Sequence, residues 1–155
     1  MQKRIRLMGA MAAILLLASL ALGQMQNPQG RPAFKSGEGL AYLIWRDNNN
    51  VWHLRWTTEE KRRNFTGTLW AIGGAFVNAK GVGLEKKEDR ISISPGLIKF
   101  NAWAAGGQDG IDFHLGPRTK RVRFELFIDG ESRPDRVFIG KDGDHPPGNP
   151  FEIQR

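Results

Sequence analysis

From Leu40 onward, apolar residues recur at every second position in short runs, and Gly, Asn, Asp and Pro separate the runs. Alternation of this kind places successive side chains on opposite faces of an extended chain, so it predicts strands with one face turned to a core. The stretch 120–129 alternates most cleanly: Val122, Phe124, Leu126 and Ile128 fall on one face, Arg121, Arg123 and Glu125 on the other. No stretch keeps apolar residues at the three- and four-residue spacing that a helix with a buried side needs.

The first hairpin is predicted from runs 40–46 and 51–57 around Asp47-Asn48-Asn49-Asn50, because Asn and Asp tolerate the left-handed backbone of tight turns. In its second arm Trp52, Leu54 and Trp56 share one face, and His53 and Arg55 the other. Further strands are predicted at 65–72, 76–85, 90–93, 97–103, 110–115, 121–129, 136–140 and 151–153, with 104–110 and 141–150 as loops. About ten antiparallel strands in so short a region predict an all-β sandwich, with a jelly roll as one arrangement. No repeat of fixed period points to a propeller or solenoid.

Ahead of this region the chain changes character twice. Lys3, Arg4 and Arg6 precede an apolar run over 7–22 that ends in Ala21-Leu22-Gly23, the order of a signal peptide over residues 1–23 with cleavage near Gly23/Gln24. The run is shorter than the ~20 residues of a bilayer span and is interrupted by Gly9 and Ser19, which argues against a permanent membrane anchor. Residues 24–39 are rich in Gln, Pro and Gly without periodicity, so they read as a flexible lead-in to a domain at 40–155.

Composition narrows the partners. The chain has 155 residues, 40% hydrophobic and 25% charged, enough core-forming material for one folded domain. The absence of Cys excludes disulfides, cysteine-based zinc sites, thiol nucleophiles and lipid attachment through an N-terminal cysteine. Removing the leader takes three of the 23 Lys+Arg and lowers the formal charge from +7 to +4. The remaining basic clusters, Lys61-Arg62-Arg63 and 118–123, fall in turns or on solvated strand faces, which argues against nucleic acid as a partner. An exported, cysteine-free chain points to a bacterial periplasm or medium. Asn64-Phe65-Thr66 would be a glycosylation acceptor in a eukaryote.

Five Trp residues carry the most suggestive chemistry, since flat aromatic faces stack on sugar rings. Trp52 and Trp56 lie with Leu54 and are expected in the core, whereas Trp45 and Trp70 lie in runs with apolar residues on both faces and stay open. Trp103 shares a face with Lys99 and Asn101 and precedes the 104–110 loop, so it is the surface candidate, with Asp109 and Asp112 as the polar groups that orient a ligand. His53 and Arg55 on one strand and Asp112 and His114 on another would meet if those strands were neighbours, as a polar site or simply as cross-strand ion pairs.

No metal or other cofactor is expected. His53, His114 and His145 lack ligand spacing, and His145-Pro146-Pro147 breaks any calcium loop begun by Asp142-Gly143-Asp144. The chain has no Gly-x-Ser-x-Gly elbow, phosphate-binding loop or His-Glu-x-x-His, and Ser36, Ser92, Ser94 and Ser132 stand in no telling context. A pair of carboxylates such as Asp112 with Glu125 is the one hydrolytic alternative.

Tyr42-Leu43-Ile44-Trp45, the segment from Trp52-His53-Leu54 to Arg55-Trp56-Thr57-Thr58, Phe65-Thr66-Gly67-Thr68, Asp109-Gly110-Ile111-Asp112-Phe113, and Ile139-Gly140 with Pro150-Phe151 resemble a domain of exported bacterial proteins with no assigned function. The resemblance spans most of 40–153 and implies secretion and a β fold, without a reaction or functional residues. The sequence thus describes an exported binding module, with a glycan as the leading ligand. A protein-interaction or structural envelope domain is the alternative, and neither reading sets an oligomeric state.

Overall fold

The computed structural model describes residues 27–34, 39–59 and 61–155. The signal-peptide reading of 1–23 and part of the lead-in lie outside the described residues. Ten strands follow in chain order: β1 (Leu40–Arg46), β2 (Trp52–Thr58), β3 (Arg63–Ile72), β4 (Phe76–Val82), β5 (Arg90–Ser94), β6 (Leu97–Ala104), β7 (Gln108–Leu115), β8 (Arg121–Ile128), β9 (Val137–Ile139) and β10 (Phe151–Gln154). They form two five-stranded sheets, in the orders β4-β7-β2-β1-β9 and β10-β8-β3-β6-β5. The chain is an all-β sandwich, with ten strands where a jelly roll has eight. All pairings are antiparallel except β1 with β9.

Alternation explains the layers. Tyr42, Ile44, Trp52, Leu54, Trp56, Ile111 and Phe113 of the first sheet face Phe65, Leu69, Ile98, Phe100, Val122, Phe124 and Leu126 of the second in one buried cluster. Trp56 lies flat on Phe100, centroids 4.6 Å apart. Tyr42 sends its hydroxyl to the Thr66 and Phe127 carbonyls of the opposite sheet, at 3.1 and 2.9 Å. Burial pushes its phenol well above the ordinary range, which keeps it a donor. Gly67 sits at an inward position where a Cβ would stand 2.7 Å from the Phe100 ring; its missing side chain is the space the ring occupies.

Only β1–β2 and β5–β6 are joined within one sheet; every other connection crosses to the opposite sheet. The β1–β2 turn is held by Asp47, whose Oδ1 accepts the amides of Asn49 and Val51, with Asn50 at φ +60°.

Two expectations change. The described part of the lead-in is not free: Gly30 and Arg46 exchange backbone bonds with Arg46 and Pro28 carbonyls, Lys141 donates to Gln29, and Phe34 packs edge-on against Phe138 at 5.6 Å. A proline-bearing extended segment lacks periodicity whether it docks or not. The expected 104–110 loop shrinks to 105–107, because β7 already begins at Gln108.

Candidate functional site

Strand parity and sheet order place the five candidate residues in three separate locations. β2 and β7 are neighbours, with His53 opposite Asp112, so the conditional meeting of cations and carboxylate takes place on the outer face of the first sheet. His53 Nδ1 lies 2.7 Å from Asp112 Oδ1 and its Nε2 lies 3.1 Å from Asp47 Oδ2. Carboxylate oxygens only accept, so the imidazole makes both bonds when it carries both protons. Arg55 reaches the same Asp112 oxygen at 2.7 Å and also donates to the Leu54 and Ile111 carbonyls. Trp45 stacks on His53 at 4.7 Å, and the guanidinium groups of Arg31 and Arg55 stand over the indole, each at 5.7 Å.

Burial pushes the Asp112 carboxyl up, but the hydrogen bonds from Arg55 and His53 outweigh it and hold the group below its ordinary value. Asp47 behaves alike: desolvation opposes, while Val51, His53 and Asn49 donate and lower it. The charges of His53, Arg55, Asp47 and Asp112 answer one another, so the cluster ties the hairpin turn to β7 and holds these charges rather than presenting them. Beside it, the bulge in β4 between Val77 and Lys80 borders a cleft of about 280 Å³ lined by Val51, His53, Asn78, Lys80, Asp112 and His114.

Asp109 stands apart from Asp112. Three positions separate them on one strand, so they face opposite ways: Asp109 pairs with inward-facing Trp56 and sits at the end of the sandwich. Burial first, then the charges of Asp89 and Glu85, raises its carboxyl, with Arg55 opposing. Asp89 itself accepts the Trp103 amide at 2.9 Å.

Trp103 lies on the other sheet. β6 belongs to the second sheet and β7 to the first, so the connection between them crosses the sandwich and carries Asp112 away from Trp103. The expected joint site of Trp103, Asp109 and Asp112 is therefore corrected. The carboxylate pair Asp112 with Glu125 is corrected likewise, because the two lie on opposite outer faces with the core between them.

What surrounds Trp103 is the outer face of the second sheet. The indole is 41% exposed, with the Arg62 guanidinium 4.8 Å from its centre and Arg62 in turn bound to Glu88 at 2.7 Å. Along and across the strands follow Asn64, opposite Trp103 and bonded to Asn101 at 2.8 Å, then Thr66, Thr68, Lys99 and Glu125. Phe127 and Trp70 share this face, half-buried, and Arg123 covers Trp70 at 5.4 Å.

No family model, curated protein or solved structure matches the chain.

Trp70, open in the sequence, and Phe127, not singled out there, are both placed on this face by strand parity. Phe127 has the parity of Arg121, Arg123 and Glu125, and Trp70 alternates with Phe65, Gly67, Leu69 and Ala71. The third histidine, His145, donates Nδ1 to the Val137 carbonyl at 2.7 Å, and among the described residues no group of three or more His, Asp or Glu side chains is arranged to hold a metal ion.

Proposed function

We propose that the protein is an exported, non-catalytic binding module that holds a glycan on the outer face of the second sheet. The observation that carries the reading is Trp103: a large aromatic, 41% exposed, set at one end of a sheet face that continues in Asn101, Lys99, Thr66 and Thr68. Sugars offer an apolar C–H face for stacking and hydroxyls for hydrogen bonds, and this surface supplies both kinds of partner side by side. Counting along β3, Trp70 lies six positions from Asn64, the partner of Trp103, about 20 Å at ~3.3 Å per residue. Such a length suits an extended chain of several sugars better than a single one.

The test is an array of polysaccharides and cell-envelope fractions, followed by Trp103→Ala on any ligand found. Binding should fall below detection, with the unfolding midpoint within about 2 °C of wild type, since an exposed ring contributes little burial. Undiminished binding by the variant would overturn the assignment to this face. Mass spectrometry of the secreted protein checks export: an N-terminus near Gln24 is expected, and retention of Met1 refutes it.

A protein partner is the second reading, favoured by β5, an edge strand whose Ile93 is 43% exposed. Capture of an envelope protein that survives Trp103→Ala and is lost in Ile93→Lys would decide for it.

A further inference from the structure

A second cleft lies at the open end of the sandwich, where the β1–β2 turn, the end of β7 and Arg155 approach one another. It measures about 150 Å³ and is lined by Arg46, Asn50, Trp52, His114, Leu115 and Arg155. Among the described residues its lining has two guanidinium groups and an imidazole, and no Asp or Glu side chain. Asp47, the nearest acid in sequence, turns the other way: its carboxylate is taken by the amides of Asn49 and Val51 and by His53.

Two ring and guanidinium nitrogens in this cleft are not spent elsewhere. Arg46 Nε and His114 Nδ1 are both buried without a hydrogen-bond partner. Buried polar atoms are paired in the great majority of cases, and an unpaired one calls for an ion or water to complete it. Arg155 is held in place by its bonds to the Gly116 and Pro117 carbonyls at 3.1 and 2.6 Å, which fixes one cation at the rim. Two cations of like sign that line one partly enclosed space repel unless an anion sits between them. A volume equal to about five waters at ~30 Å³ each admits a small ion and falls short of the ~300 Å³ where pockets for larger molecules begin.

We propose that this cleft binds a tetrahedral oxyanion, phosphate or sulfate, either free or carried as a monoester on a larger molecule. Guanidinium groups pair well with such anions because several N–H donors meet several oxygens at once. Arg46 Nε and His114 Nδ1, when it carries hydrogen, supply donors from the inner wall, and Arg155 closes the outer side. The site is separate from the sheet face assigned to a glycan and stands independently of it.

The experiment is a titration of the ¹⁵N-labelled protein, followed by NMR at constant ionic strength, with inorganic phosphate, sulfate, glucose 6-phosphate, and acetate and chloride as controls. Phosphate or sulfate should give saturable shifts at Arg46, Asn50, the Trp52 indole, His114 and Arg155, with a Kd of about 1 mM or tighter. Acetate and chloride should not. Glucose 6-phosphate binding as tightly as phosphate assigns the site to a monoester, and weaker binding assigns it to the free ion. Arg46→Gln and Arg155→Gln should each weaken binding at least fivefold. Because Arg46 also contacts the docked segment 27–34, Arg155→Gln and the wild-type shift map decide should Arg46→Gln fail to fold. Shifts that chloride reproduces, that spread over exposed cations such as Lys99 and Arg118, or that Arg155→Gln leaves unchanged would overturn the proposal.

Discussion

Replacing Phe124 by Ala removes the centre of the second sheet's inner layer. The ring is fully buried, stands opposite Leu69 of β3 and lies on Phe151 of β10 with centroids 5.3 Å apart and planes at 10°. Loss of its transfer from water accounts for about 2–3 kcal/mol. The cavity left behind and the vanished stack on Phe151 add about 1–2 kcal/mol, for a loss of about 3–5 kcal/mol in all. Because β10 has only four residues and just two of them, Phe151 and Ile153, are buried in the core, the upper part of the range is expected. Arg123→Ala, one position along, is the control. Its side chain points outward and reaches only the Trp70 ring at 5.4 Å, an exposed cation–π contact of about 0.5–1 kcal/mol. Urea unfolding of both variants, read from the midpoint at unchanged slope, measures the difference. Equal losses, or a loss below about 1.5 kcal/mol for Phe124→Ala, would refute the assignment of faces.

Asp112 and Asp47 both have lowered carboxyls in the fold, so the stability they confer is present above the unfolded value near pH 3.9 and is lost as pH falls through the folded one. Asp112→Asn should therefore flatten the acid limb of the stability curve below about pH 4, and cost about 1–3 kcal/mol at neutral pH by leaving Arg55 and His53 short of a partner; an acid limb as steep as wild type would refute the clasp. Gly67→Ala would put a Cβ 2.7 Å from Phe100 and 2.8 Å from Leu126, an overpacking cost of about 1–3 kcal/mol. An unchanged thermal midpoint in that variant would show that Phe100 can move aside freely.

Much of the sandwich was legible because its signal is local. Alternation in 120–129 read both faces of β8 correctly, and Asp47 to Asn50 marked the first turn. Parity also put His53 with Arg55 and Asp112 with His114, but parity is a property of one strand. Whether two strands are neighbours, and in which register, depends on loop closures far apart in sequence. That is why the His53–Asp112 contact is legible only as a condition, and why nothing local in the sequence tells that the chain changes sheet between Trp103 and Asp112. The separation of Asp109 from Asp112 follows from their odd spacing alone. Arg46 offered no signal at all: its importance comes from the unpaired Nε beside His114, a matter of three-dimensional convergence.

The crossings between sheets bear on how the molecule comes together. Leu69 of β3 finds its two partners, Ile98 and Phe124, far along the chain, so the central strand gains nothing until long loops have closed. Folding rates fall as contacts become less local, and β-sandwiches dominated by such pairings take milliseconds to seconds. Only the two hairpins, β1–β2 and β5–β6, can form early and cheaply in entropy. Meanwhile the apolar rows of β3, β6 and β8 stand open to other chains as well as to one another. Recovery from the unfolded state should accordingly depend on protein concentration, as intermolecular strand pairing competes with slow intramolecular closure.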